Sequence, residues 1–328
     1  MLAKEIGEFK LIKRMSDILG SPSRQIIKGI GDDCAIINPS SEMLQLVTTD
    51  MLVEGVHFEL STATPCQIGW KSLAVNISDI ASMGGKPSYA FVSIGFPRNV
   101  TVEFVDEIYI GMRDVAKEYG VDIIGGDTVS SPQVIINIAL LGEVEKDSYI
   151  LRSGAKVGDL ICITGDVGGS SAGLEILQRK LNIDGTEKHL LPKPRLKEGQ
   201  LLAKSGYITA MIDISDGVSS EINHICEQSE TGAKIYMKDI PLSPYVRSVA
   251  NVLNKNPYDF ALFGGEDYEL LFTCQKDKFQ YLQNLIYKNC HTPITCIGQI
   301  LDKSELITID DLDHNTIPLF ARGYNHFA

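Results

Sequence analysis

At 328 residues the chain exceeds one ordinary small domain and suits two α/β domains. Its net charge of −12 excludes the basic face that nucleic-acid binding requires, and no apolar run nears the roughly 20 residues that span a bilayer. The opening residues Met1-Leu2-Ala3-Lys4-Glu5 lead into an amphipathic stretch without a signal-peptide core, which predicts a cytoplasmic protein. The seven cysteines form no C-x-x-C pair and sit mostly in apolar runs, so they read as buried small side chains rather than zinc ligands or disulfides.

Taken in order, residues 44–49 form a short apolar strand that runs into Asp50. Residues 68–83 carry helical periodicity, with Leu73, Ile77, Ile80 and Gly84 on one face. A strand over 90–96, a long amphipathic helix over 102–119 and a buried strand over 121–124 follow. That strand opens onto Gly125-Gly126-Asp127, and another strand covers 134–144. The polar, glycine-containing segment 146–158 reads as the inter-domain connection, which divides the chain into 1–147 and 148–328. The pattern then restarts with a strand over 160–164, a tight glycine-rich turn at 165–169 and a helix over 172–180. A strand over 209–214 runs into Ser215-Asp216-Gly217 and a helix over 218–229. A final strand pair is expected around Gly264-Gly265-Glu266-Asp267. Alternating strands and helices in both halves indicate α/β or α+β domains.

One feature recurs. Short apolar strands end in a small residue and an aspartate, at Asp32-Asp33, Asp50, Asp127 and Asp213 with Asp216. Any one of these also suits a turn or a helix cap, and Asp216 stands where it would cap the helix after it. Asp79 is different, because a charge inside a helix of Ala, Val and Ile needs a partner, and Asn76 shares its face. Strand ends in α/β proteins gather at one edge of the sheet, where ligand crevices form. Several carboxylates gathered there would take up protons unless cations neutralised them, and Mg²⁺ suits oxygen ligands beside substrate phosphates. No Walker-type P-loop and no protein-kinase motif set is present, so the carboxylates themselves must organise any phosphoryl chemistry.

In sequence order these motifs resemble thiamine-monophosphate kinases, of the aminoimidazole-ribonucleotide synthetase superfamily. The resemblance runs from Gly7-Glu8-Phe9 through I-G-D-D-C-A at 30–35, T-T-D-M-L-V-E-G-V-H-F at 48–58 and K-S-L-A-V-N-I-S-D-I-A-S-M-G at 71–84. It continues with G-G-D-T at 125–128, R-S-G-A-K-V-G-D at 152–159, D-I-S-D-G at 213–217, G-G-E-D-Y-E-L at 264–270 and G-Y-N-H-F at 323–327. It implies a two-domain α/β (α+β) fold of the aminoimidazole-ribonucleotide synthetase type, with an N-terminal ATP- and Mg-binding domain whose sheet pairs across a homodimer. It implies transfer of a phosphoryl group from ATP to thiamine monophosphate with several Mg²⁺ ions. The matching metal positions are Asp33, Thr48, Thr49, Asp50, Asp79, Asp127 and Asp213, with Asp216 on a further ion. Tyr109, Gly126, Asp127, Arg152 and Ser215 fall at ATP-contacting positions, and His57, Glu266 and Tyr324 at substrate-contacting ones. Glu266 or Tyr324 is expected to complement the positive thiazolium ring. The acceptor is a phosphate monoester, largely ionised at neutral pH, so direct in-line transfer needs neither a strong base nor a covalent residue.

Overall fold

The computed structural model describes residues 26–28, 32–38 and 42–323, so the motif at 7–9 and the tail from Tyr324 onward lie outside the described residues. The N-terminal sheet comprises β1 (Ile26–Lys28), β2 (Ala35–Ile37), β3 (Met43–Val53), β4 (Lys86–Phe96), β5 (Asp122–Ser130) and β6 (Ile135–Glu145). Their spatial order is β1-β2-β3-β6-β4-β5, and only the β4–β5 pair is parallel. The C-terminal sheet comprises β7 (Leu160–Thr164), β8 (Ile208–Asp213), β9 (Gly232–Tyr236), β10 (Leu270–Cys274), β11 (Ile294–Leu301), β12 (Ile307–Asp310) and β13 (Thr316–Pro318), in the order β13-β12-β9-β11-β7-β10-β8. The helices are α1 (Pro65–Ser82), α2 (Val102–Tyr119), α3 (Gly169–Arg179), α4 (Glu187–Leu190), α5 (Leu196–Ser205), α6 (Val218–Ser229), α7 (Val246–Leu253), α8 (Pro257–Leu262) and α9 (Phe279–Cys290). None among the described residues is long and apolar enough to cross a membrane.

The two sheets are covered differently, and their sequences differ for that reason. In β6 and, Asp50 apart, in β3 every second residue is buried, because α1 and α2 cover one face and leave the other open. Strands β7 and β10 are apolar apart from Thr164 and Thr273. One of their faces packs with Val218 and Ile222 of α6 and Leu262 of α8, and the other with Leu202 of α5 and Leu282 of α9.

Helix α1 is the hub of the molecule. A Thr64–Gln67 capping box and Pro65 in the first turn start it. A Cβ on Gly69 would stand 1.9 Å from the Ile108 carbonyl oxygen, and one on Gly111 of α2 equally close to that of Cys66. Paired glycines therefore let α1 and α2 cross backbone to backbone. At the other end of α1, a Cβ on Gly199 of α5 would meet the Ala81 carbonyl oxygen at 2.1 Å, so the second half of the chain also rests on this helix. A helix packed on so many sides is buried nearly all round, its polar residues Lys71, Ser72, Asn76 and Ser78 included.

Three expectations need correction. Strand β5 is an edge strand whose residues are nearly all exposed, not a buried strand, and Gly125-Gly126-Asp127 lies within it rather than after it. Asp50 likewise lies inside β3, which continues to Val53 because β6 pairs with it along its whole length. Only one strand, β10, flanks the Gly264–Asp267 loop. The other flank is helix α8, started by Pro257 after an Asn256 cap whose side chain accepts from the Tyr258 N–H.

Candidate active site

A cavity of about 780 Å³ opens between the two halves. Its walls come from β3, the turn after it, α1, the end of β8 and the Gly264–Tyr268 loop. At its base, Asp33, Asp79 and Asp213 each offer a carboxylate oxygen within 4.8 Å of the others. Asp79 and Asp213 come from different halves of the chain, and the packing of α1 on β8 brings them together.

Local hydrogen bonds set the carboxylates. The Thr48 hydroxyl donates to Asp79 and Ser78 Oγ donates to Asp213. The Asn76 amide oxygen accepts from the Asp50 N–H at 3.1 Å while its nitrogen donates to the Ser72 carbonyl, so Asn76 locks β3 to α1. Arg152 donates from Nη2 to Asp33. Among the described residues, the buried side-chain atoms without a hydrogen-bond partner include Asp33 Oδ2 and Arg152 Nε. One is an acceptor and one a donor.

Their electrostatics follow from burial and crowding. Burial, and then Asp33, pushes the Asp50 carboxyl up to about 6. Asp213 is pushed up to about 7 by burial and then Asp33, and Asp79 is driven well above its usual range by burial, Asp50 and Asp213. Burial works against the charge of Arg152, but the Asp33 carboxylate more than restores it. The cluster resists full ionisation without added positive charge. A group of oxygen donors with a buried, unpartnered carboxylate oxygen fits a hard divalent cation such as Mg²⁺ and fits a thiophilic metal poorly.

The remaining expected residues divide into two groups. His57, Asp216, Ser215 and Glu266 line the cavity with the cluster. Asp216 does not cap α6, whose cap residue is Gly217 with no side-chain hydrogen bond. Thr49 reaches the cavity rim, but its hydroxyl donates to Asn137 Oδ1 on the open face of the N-terminal sheet. The structure does not bring Gly126, Asp127 and Tyr109 to the cavity. The register Met51–Asn137–Ser93–Asp127 puts Asp127 three strands from β3, about 14 Å at ordinary strand spacing, with an exposed side chain. Gly126 answers a need of the sheet itself, since a Cβ there would meet the Val92 carbonyl oxygen at 1.8 Å. Tyr109 is 37% exposed on α2. Tyr324 lies outside the described residues.

Sequence reasoning passed over two residues of the cavity wall, Lys71 and His189. Lys71 carried a signal. It is a charge in the same apolar helix that singled out Asp79, eight residues earlier and so on nearly the same face. His189, on the four-residue helix α4, carried none.

The chain is similar to known proteins over nearly its whole length. The AIR synthase related protein N-terminal domain matches residues 31–144 and its C-terminal domain matches 156–311. The thiamine-monophosphate kinase of Aquifex aeolicus is 37% identical over 333 residues, covering 100% of both chains. The chain belongs to the thiamine-monophosphate kinase family. Its relative in Bacillus subtilis is 38% identical over 311 residues, covering 91% of this chain and 93% of that one. The solved complex of AaThiL with AMPPCP and TMP superposes with a TM-score of 0.86 at 33% identity, covering 99% of each chain. The family's two-domain fold is thus the fold of this chain.

Proposed function

We propose that the protein transfers the γ-phosphoryl group of ATP to thiamine monophosphate, yielding thiamine diphosphate and ADP. Family membership supports the reading, as does the relative that has been solved with an ATP analogue and TMP. The observation that carries it in this chain is the cavity whose base gathers Asp33, Asp79 and Asp213 from both halves.

Bringing two anionic phosphates together over a floor of carboxylates is unfavourable without cations. Asp33, Thr48, Asp50, Asp79 and Asp213 would hold Mg²⁺, with Thr49, Asp127 and Asp216 as further ligands at the family positions. When bound, Mg²⁺ supplies charge neutralisation for the phosphates that meet in the cavity. Arg152 is suited to clamp a phosphate of ATP, because its planar fork offers a buried Nε–H with no protein partner. Ser215, Gly126, Asp127 and Tyr109 are the remaining candidates on the ATP side, and His57 and Tyr324 on the acceptor side. The acceptor phosphate is already largely ionised near neutral pH, its second pKa being about 6. Accordingly the chain needs no general base, and we assign it direct transfer without a phosphorylated residue.

The homodimer that the resemblance implies would use the open face of the N-terminal sheet. Met51, Tyr89, Phe91, Ile124 and Val129 are exposed apolar residues there, more than a solitary sheet face ordinarily leaves in water. We assign this face to a second copy of the chain, with Gly126 and Asp127 at the seam, and we assign the protein to the cytoplasm. The reading is tested by ADP release with ATP and Mg²⁺, comparing thiamine monophosphate with free thiamine and aminoimidazole precursors as acceptors. Turnover confined to thiamine monophosphate is expected. No turnover with it would overturn the assignment while leaving the fold intact.

A further inference from the structure

The Gly264–Tyr268 loop alternates its side chains between the cavity and the body of the second half. Asp267 points away and accepts from the Gly168 and Ser170 N–H groups at 2.6 and 3.0 Å, at the start of α3. Glu269 also points away, into a two-pronged pair with Arg195 at 2.6 Å for each contact, and it accepts from Thr164 Oγ1 at 2.8 Å. Between and beside these anchors, Glu266 and Tyr268 face the cavity with φ of 66° and 51°, a conformation that side-chain-bearing residues adopt at a cost. The anchors and the backbone bonds from Glu266 N to Ser215 O and from Tyr268 N to Ile214 O hold that conformation.

Both carboxylate oxygens of Glu266 are already engaged. Lys71 Nζ stands 2.7 Å from Oε1, and His189 Nδ1 stands 3.2 Å from Oε2. Lys71 is 3% exposed, and its ammonium also donates to the His57 carbonyl oxygen at 3.2 Å. Burial opposes ionisation of Glu266, yet Lys71 and His189 hold it down to about 2, so it is a carboxylate. Burial and the neighbouring Lys71 disfavour protonation of His189, so the imidazole is neutral and its Nδ1–H is the donor. One ammonium therefore joins three pieces of wall: helix α1, the His57 turn after β3, and the Gly264–Tyr268 loop of the other half.

We propose that Lys71 is a positioning residue of the acceptor subsite, tying His57 and Glu266 together and answering the Glu266 charge, so that Glu266 orients the acceptor without serving as the counter-ion of its thiazolium. The inference deepens the proposed function, since it rests on His57 and Glu266 lining the acceptor's place. It also revises the expected role of Glu266, because a carboxylate with both oxygens spent has little net charge left to offer a cation.

Three variants of the full chain test it. Lys71→Met is expected to raise KM for thiamine monophosphate about tenfold or more while KM for ATP stays within about twofold, and Lys71→Arg is expected to restore most of the loss. A Lys71→Met protein whose acceptor KM is unchanged, or whose two KM values rise together, would overturn it. The third variant removes both charges of the pair at once. Lys71→Met/Glu266→Gln, which leaves no unpaired ammonium behind, is expected to weaken the cationic acceptor and an isosteric neutral analogue, with the thiazolium replaced by an uncharged ring, by the same factor within about threefold. A loss much larger for the cationic acceptor makes Glu266 its counter-ion and contradicts the proposal. Absence of wild-type turnover with thiamine monophosphate, by contrast, strikes the proposed function itself.

Discussion

At the scale of single residues, the site is defined by carboxylates that the protein alone leaves short of positive charge. Asp50 and Asp213 bind protons more tightly folded than unfolded, with values of about 6 and about 7 against an ordinary 3.8. Their contribution to stability is therefore fully present below about pH 4 and is lost as pH rises through 6 to 7. In the presence of a chelator, thermal melts should show this loss, and Asp213→Asn should flatten the slope. A bound cation takes the place of those protons, so the rise in melting temperature on adding Mg²⁺ should be larger at about pH 8 than at about pH 5. An Mg²⁺ effect independent of pH, or unchanged in Asp213→Asn, would mean that these carboxylates are not its ligands. Arg152 makes a separate prediction. Lysine keeps the charge but loses the fork and its Nε–H, so Arg152→Lys should lower turnover at least about tenfold with an unchanged melting temperature. Turnover near that of the wild type would reduce Arg152 to the partner of Asp33.

At the scale of elements, the account turns on α1, which carries Lys71, Asn76, Ser78 and Asp79 toward the cavity while touching α2, β3, β8 and α5. Its close crossing with α2 leaves no room for a methyl group at Gly69 or Gly111. Gly69→Ala should destabilise the protein by about 2 kcal/mol or more in urea unfolding, a larger cost than alanine normally brings to a helix. A neutral or stabilising effect would contradict the backbone-to-backbone crossing. Much of this element was legible beforehand. Its apolar run and the misplaced charge of Asp79 are local features that packing did not override, while the Thr64–Gln67 capping box, which starts the helix three residues before the expected position 68, was passed over. The interlocking glycines were not legible, because a small residue in a helix acquires meaning only from the helix that crosses it.

At the scale of the whole molecule, strand type followed from how each sheet is covered, so the alternating β3 and the continuous β7 and β10 were readable as strands. What failed was the placement of Asp50 and Asp127 at strand ends. A strand ends where its ladder partner ends, and β6 and β4 lie far along the chain from the residues they pair with. The convergence of Asp79 with Asp213 followed from the family resemblance and not from spacing, since 134 positions of chain separate them. The same face-by-face logic gives a prediction for the assembly. Ile124 is 54% exposed on the open face, so Ile124→Glu should leave folding intact and shift sedimentation from dimer to monomer. A monomeric wild-type protein would remove the partner assigned to that face.

The central claim, that an acidic, cation-filled cavity joins the phosphate of ATP to a phosphate acceptor, is tested most directly by the identity of the product. The measurement is ³¹P NMR of the wild-type protein with ATP, Mg²⁺ and thiamine monophosphate, alongside Asp213→Asn and a chelated control. The account predicts that the acceptor's single phosphate resonance is replaced by a coupled diphosphate pair in step with ADP, in the wild type with Mg²⁺ alone. ATP consumption that yields only ADP and inorganic phosphate, or thiamine diphosphate formed equally well by Asp213→Asn, would contradict it.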